Sequence, residues 1–266
     1  MSRVVVPRVI ATDLDGTLLR SDGTVSPRTR AALARAEQHG CTVLFVSARP
    51  PRWIDELADA VGDHGLAICA NGALIYDVHA RAVIERHSLA GDVALTVAQA
   101  IRQVAPGVSF AIERDLGYGH EPDFPGRWPA PEDTVVAELD ALLIEPVAKL
   151  LALHQKLDAQ EFIALASAAV GDLAAATHSG HAAVVEISAA NVSKATSLAR
   201  FCAERGIGPA DVVAFGDMPN DVPMLAWAGK SYAVGNAHPA AVAAADHRCA
   251  SNDEDGVARV VEGWFG

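Results

Sequence analysis

Four short apolar runs, each halted by small, polar or acidic residues, constrain this 266-residue chain more than any other feature of its sequence. Val9 to Thr12 runs into Asp13-Leu14-Asp15-Gly16-Thr17, and Cys41 to Val46 into Ser47-Ala48-Arg49. Leu66 to Ala70 runs into Asn71-Gly72, and Val212 to Phe215 into Gly216-Asp217, with Asn220 and Asp221 close behind. Continuous apolar runs of this length suit strands buried on both faces, as in a parallel sheet covered by helices. A further run, Tyr232 to Val234, fits the same pattern. The stretches between carry helix punctuation. Ser26 before Pro27 is an N-cap followed by proline at the first helical position, and Gly40 ends that helix. Gly62 closes the next helix and Gly206 the one that begins near Ser193. Strand and helix in alternation predict an α/β fold with a doubly wound parallel sheet.

Residues 81–188 follow a different pattern. Helix-like stretches Asp92 to Val104 and Ala159 to Val170 stand among strand candidates Val108 to Glu113, Val147 to His154 and Val184 to Ser188. A long loop, Gly117 to Asp133, holds four prolines. This predicts an inserted α+β domain with helices on one face of a mostly antiparallel sheet. The expected organisation is a core over 1–80, the insert over 81–188, and the rest of the core over 189–266.

In open α/β sheets, ligands bind beyond the carboxyl ends of the strands. One polar strand ending is ordinary turn chemistry, but four at one sheet edge predict a site. Asp13, Asp15, Asp217 and Asp221 would converge there, and carboxylates at close range repel unless a cation joins them. An all-oxygen set with open positions suits Mg²⁺. A calcium loop of the EF-hand type fails, because its twelfth position is Thr24 rather than a bidentate glutamate. Gly229-Lys230-Ser231 is not a P-loop either, since the upstream glycine position holds Met224.

Asp13-Leu14-Asp15-Gly16-Thr17-Leu18-Leu19 resembles the signature of the haloacid dehalogenase superfamily. Ser47-Ala48-Arg49, Lys194 and Gly216-Asp217-Met218-Pro219-Asn220-Asp221 resemble its second, third and fourth motifs, in order. Asn71-Gly72-Ala73, the approach Asn191-Val192-Ser193-Lys194 and the tail Ser251 to Val257 are similar to the Cof-type subfamily of sugar-phosphate phosphatases. The resemblance implies a Rossmann-like core with an inserted cap. It also implies Mg²⁺-dependent hydrolysis of small phosphorylated metabolites through an aspartyl-phosphate. Asp13 would be the nucleophile and Asp15 the acid and base. Mg²⁺ would sit on Asp13, the Asp15 carbonyl and Asp217, with Asp221 bracing that set. Ser47 and Asn71 would donate to phosphoryl oxygens and Lys194 would supply positive charge. Arg49, Gly72 and Asn220 would face the substrate, although Arg49 equally suits a structural ion pair and Asn220 a loop brace. In the tail, Asn252 and Asp255 are expected to cap the last helix, and His178 and His181 to be surface residues.

Two rivals share the fold: a phosphomutase, against which the Cof-type resemblance weighs, and a non-catalytic sensor, which would have no need of all of Asp13, Asp15, Lys194 and Asp217. Charge narrows the partners. With 21 Lys and Arg against 33 Asp and Glu the chain carries −12, which disfavours nucleic acid and anionic membrane as partners. No stretch approaches the roughly 18 apolar residues of a membrane span, and Met1 to Arg8 lacks the apolar core of a secretion signal. The scattered Cys41, Cys69, Cys202 and Cys249 are expected as reduced thiols, in a cytoplasmic protein.

Overall fold

The computed structural model describes residues 6–60, 65–126, 130–178 and 184–266. Its first half opens with β1 (Val9–Thr12), α1 (Pro27–Gln38), β2 (Thr42–Val46), α2 (Pro51–Ile54), β3 (Leu66–Cys69), β4 (Leu74–Asp77) and β5 (Ala82–Arg86). The insert then supplies α3 (Gly91–Val104), β6 (Ser109–Glu113), β7 (Tyr118–His120), β8 (Val135–Val136), α4 (Leu139–Leu142), β9 (Lys149–Leu153), α5 (Ala159–Val170), β10 (Ala174–Thr177) and β11 (Val184–Ala189). The chain closes with α6 (Lys194–Glu204), β12 (Val212–Gly216), α7 (Val222–Trp227), β13 (Lys230–Ala233), α8 (Pro239–Ala244), β14 (His247–Arg248) and α9 (Gly256–Phe265).

Eight strands form the first sheet in the order β14-β13-β12-β1-β2-β3-β4-β5, parallel from β14 to β3 and antiparallel at β4 and β5. Side chains alternate across it, as strand geometry requires. Ile10, Val43, Phe45, Val213 and Phe215 pack beneath α1 and α9, while Val9, Ala11, Leu44, Val212 and Ala214 pack beneath α6, α7 and α8. Both faces are thus covered, which is why these strands are uninterruptedly apolar. The sheet extends to Arg86, past the boundary expected at residue 80, because the β4–β5 hairpin continues it as an exposed edge.

The second sheet runs β10-β11-β9-β6-β7-β8, antiparallel except for β7 beside β8. Helices α3 and α5 cover one face through Ala98, Ile101, Phe162 and Ala166, packed on Phe110, Ile112, Leu150 and Val185. Strand β7 lies inside the stretch expected as loop over 117–133. Its Tyr118-Gly119-His120 is too short to show alternation, and pairing with β6 supplies its order. Gly62 and His181 fall outside the described residues. His178 is not a free surface histidine: it is half-buried, and its Nδ1 is enclosed without a partner among the described residues.

Local capping fits the sequence at α1, where the Ser26 hydroxyl accepts from Thr29 N–H. Gly40 and Gly206 follow their helices with positive φ. At α6 the Ser193 hydroxyl accepts from Thr196 N–H and the Thr196 hydroxyl accepts from Ser193 N–H, a reciprocal capping box. That box fixes the direction in which α6 starts, and therefore where Lys194 points. The tail departs from expectation. Asp255 precedes α9, but its carboxylate accepts from Arg20 rather than capping, and Asn252 donates to the Leu19 carbonyl. These side chains tie the tail to the loop after β1. Removing the α6 cap with Ser193→Ala should cost about 1 kcal/mol of stability, measured as a lower urea midpoint at unchanged m-value.

Candidate active site

Register puts the four polar strand endings at one edge. Thr12 lies between Phe215 and Phe45, and Val46 beside Ile68. Asp13 N–H donates to the Phe215 carbonyl at 3.0 Å, so the ladder continues one residue past the strand before the chain turns away. The turn needs Gly16, whose φ is +81° and where a Cβ would lie 2.5 Å from Asp217 Oδ2. Thr17 donates to Asp217 Oδ1 at 2.9 Å, and Asn236 donates to the Gly16 carbonyl at 2.7 Å.

Asp13, Asp217 and Asp221 are all buried, and each offers a carboxylate oxygen within 4.8 Å of the others'. Lys194, 2% exposed, donates to Asp13 Oδ1 at 2.5 Å and to Asp221 Oδ1 at 2.7 Å. Asp221 Oδ2 accepts from Asp217 N–H and Met218 N–H, both at 3.0 Å. Both oxygens of Asp221 are therefore engaged, which suits a brace more than a metal ligand. Burial raises the Asp13 carboxyl well above its ordinary range, with Asp221 and Asp217 adding to the rise and Lys194 opposing it. Burial and then Asp221 push Asp217 up to about 6, against the Thr17 hydroxyl and Lys194. Burial alone would lower the Lys194 ammonium, but Asp13 and Asp221 outweigh it and hold it above its usual value. With all three carboxylates ionised, one ammonium leaves 1 − 3 = −2 in a buried space. Hard oxygen donors with a local charge of −2 fit a divalent cation such as Mg²⁺, and Asp13 and Asp217 are the carboxylates placed to hold it.

Around this centre the expected residues divide. Asp15 is 57% exposed along its side chain and turns to Arg49, which forks onto both its oxygens at 2.8 and 2.7 Å. Arg49 is thus an ion-pair partner here. Ser47 is buried and its oxygen accepts from Arg49 N–H at 3.1 Å, which leaves its O–H to donate. Asn71 sits in a run of positive φ from Ala70 through Gly72, at +51°, +57° and +108°. Such strain persists where surroundings over-determine the backbone and clusters at functional sites. Its amide, expected to donate to a phosphoryl oxygen, is here engaged by protein partners. Nδ2 donates to Glu186 Oε2 at 2.7 Å and to Thr177 at 3.3 Å, and Oδ1 accepts from Asn220 at 3.2 Å. Gly72 has a packing task. A Cβ there would lie 2.4 Å from the Ser193 carbonyl, and its own carbonyl accepts from Ser197. Asn220 Oδ1 is buried without a partner among the described residues.

Sequence reasoning missed what the insert brings here. Lys149 donates to Glu186 Oε2 at 2.6 Å and to the Ala48 carbonyl at 2.8 Å, and Arg52 forks onto Glu113. The available signal was a single charge inside an apolar run: Lys149 within Val147 to His154, and Glu186 within Val184 to Ser188.

The comparisons with known proteins agree with this geometry. The profile of the haloacid dehalogenase-like hydrolase family matches residues 10–261. Pyridoxal phosphate phosphatase YbhA of Escherichia coli is 30% identical, covering 96% of this chain and 97% of its own. The 5-amino-6-(5-phospho-D-ribitylamino)uracil phosphatase YitU of Bacillus subtilis is 29% identical, over 97% and 98%. A haloacid dehalogenase-like hydrolase from Bacteroides thetaiotaomicron superposes with a TM-score of 0.79 at 25% identity, covering 97% of this chain and 100% of that one. An ordered set of acidic strand endings around a buried lysine, on a doubly wound sheet matched from end to end, makes this chain a member of the haloacid dehalogenase-like hydrolases: a Cof-type phosphatase, a phosphoric monoester hydrolase.

Proposed function

We propose that the chain is a cytoplasmic, Mg²⁺-dependent phosphatase of small phosphorylated metabolites, sugar phosphates above all, working through an aspartyl-phosphate on Asp13. The observation that carries this reading is the Lys194 bridge, which fixes Asp13 Oδ1 and leaves the second oxygen of a buried carboxylate to attack. That oxygen bonds to phosphorus as the ester P–O bond breaks, and Asp15 passes a proton to the departing alkoxide. Asp15 then takes a proton from water, whose oxygen attacks phosphorus and frees Asp13 and inorganic phosphate. Arg49 holds the Asp15 carboxylate at the mouth of the site, and one of its two N–H···O bonds must loosen for Asp15 to carry the proton. The Ser47 O–H is placed to donate to a phosphoryl oxygen. Asp13, Asp217 and the Asp15 carbonyl would hold Mg²⁺, which when bound offsets charge on the phosphoryl group. The insert, from α3 to β11, would be the cap that encloses the ester and excludes water. Pyridoxal phosphate and phosphoribitylamino-uracil are named as substrates of relatives, so planar and polyol esters both belong in a substrate panel.

Purified protein should release phosphate from p-nitrophenyl phosphate with Mg²⁺, without any added sugar bisphosphate, and lose that activity in EDTA. Asp13→Asn should reduce turnover at least 10³-fold, an order-of-magnitude expectation for loss of a nucleophile, with an unchanged circular dichroism spectrum. Full activity in that variant would sink the mechanism.

The raised carboxyls also set a pH dependence. A carboxyl whose folded pKa lies above its unfolded value contributes stability below the unfolded pKa, and loses it as pH rises through the folded one. For Asp217 that window runs from the ordinary 3.8 to about 6. A cation that binds the ionised pair restores what is lost. The gain in melting temperature on adding Mg²⁺ should therefore be small near pH 5 and grow toward pH 7.5, as read by differential scanning fluorimetry. Asp217→Asn should abolish the gain.

A further inference from the structure

The inner face of the second sheet, opposite α3 and α5, carries charges where a covered sheet would carry apolar side chains. Glu113 lies across from Lys149 in the β6–β9 register, and Glu186 sits on the adjoining strand β11. Lys149 is 4% exposed and Glu186 is 7% exposed. A buried ion pair is poor value as a stabilising device: replacing it with neutral groups of similar volume is often neutral or favourable, whereas removing one partner alone is costly. The placement of this pair matters more than its energy. Lys149 Nζ bridges Glu186 Oε2 and the carbonyl of Ala48, the residue between Ser47 and Arg49. The same Glu186 Oε2 accepts from Asn71 Nδ2. One oxygen and one ammonium from the insert thus connect the loop after β2 to the loop after β3. Those two loops also meet directly, since Asn71 N–H donates to the Ser47 carbonyl at 3.0 Å and Ala70 N–H to the Arg49 carbonyl at 2.9 Å. Residues 70–72 hold positive φ throughout, so this segment needs outside contacts to stay as it is.

We propose that Lys149 and Glu186 are positioning residues of the hydrolytic reaction, a buried ionic clamp lent by the insert that fixes Ser47 and Asn71 relative to Asp13. This rests on the phosphatase reading above. The clamp touches no reacting atom. It acts on the Ala48 carbonyl and the Asn71 amide, and through them on the hydroxyl of Ser47. Its effect belongs to the transition state, in which displacement of a donor by about 1 Å costs about 10²-fold in rate.

The test is steady-state kinetics on Lys149→Met, Glu186→Gln, the double variant and Lys149→Arg, with p-nitrophenyl phosphate and a sugar phosphate, together with inhibition by orthovanadate and by inorganic phosphate. The double variant should fold, since the lysine and the glutamate lose their charges together. Its kcat should fall roughly ten- to a hundredfold by a similar factor on both esters, with KM within about threefold. Orthovanadate, which adopts the five-coordinate geometry of the transition state, should lose affinity by a factor close to that in kcat/KM, and inorganic phosphate by much less. Lys149→Arg, which keeps the charge, should fall between wild type and Lys149→Met. Should a single variant unfold on its uncompensated charge, the double variant and Lys149→Arg carry the comparison. An active wild type beside a folded double variant with unchanged kcat and orthovanadate affinity overturns the clamp alone. A loss confined to one ester also overturns it, because the pair would then be a leaving-group contact. Absence of Asp13-dependent turnover in the wild type overturns the phosphatase reading, and the clamp with it.

Discussion

Everything at this site depends on one buried ammonium. Lys194 joins Asp13, at the end of β1, to Asp221, before α7, and so ties residues 181 apart in the chain to a third located 27 residues further on. Without that charge, three carboxylates in a desolvated space would repel one another and take up protons instead of holding a cation or attacking phosphorus. The fold serves this ammonium. A capping box starts α6 at the required angle, β12 lies beside β1 to bring Asp217 and Asp221 alongside Asp13, and Gly16 lets the backbone turn against Asp217. The remaining charge of −2 is what makes a divalent cation the natural occupant, and it resolves how a chain of net charge −12 handles an anionic ester.

Much of this was legible in the sequence, for identifiable reasons. Strands β1, β2, β3 and β12 are buried on both faces, so their apolar runs are continuous and their ends abrupt, and the polar residues that follow mark one sheet edge. Helices α1 and α6 carry their own stop and start chemistry. The hairpin β4–β5 and the short strands β7, β8, β10 and β14 were not legible, because half-exposed edges and two- to four-residue strands owe their order to partners distant in sequence. Within the site, the identities of Asp13, Asp217, Asp221 and Lys194 were readable from motif order. What could not be read was direction: that Asp15 turns to Arg49, that Asn71 turns to Glu186, and that Gly72 is spent on close packing against Ser193. Those outcomes depend on neighbours brought in by other elements.

Lys149 and Glu186 show how a buried charge can be informative without being stabilising. In a covered sheet an isolated lysine or glutamate within an apolar run needs an explanation, and here each has a partner on another strand as well as one in a loop at the edge of the first sheet. Arg52 on α2 and Glu113 on β6 form a further ion pair, this one between the core and the insert. Core and insert thus meet through directional polar contacts at Ala48, Asn71 and Arg52 as well as through apolar ones such as Ala148.

The position of β12 has a consequence for how the molecule is made. Strand β1 has β2 on one side and, on the other, a strand that begins about two hundred residues later. While the chain emerges from a ribosome, β1 through β5 can assemble early, but the flank of β1 stays open until the last quarter arrives. An apolar edge left unpaired that long invites pairing with other chains. Long-range closure of this kind also slows folding, since loop entropy is lost before the pairing rewards it. Asp13 likewise stays without Lys194 until nearly three quarters of the chain exists. The cluster of Asp13, Lys194, Asp217 and Asp221 is therefore assembled only after β12 has emerged.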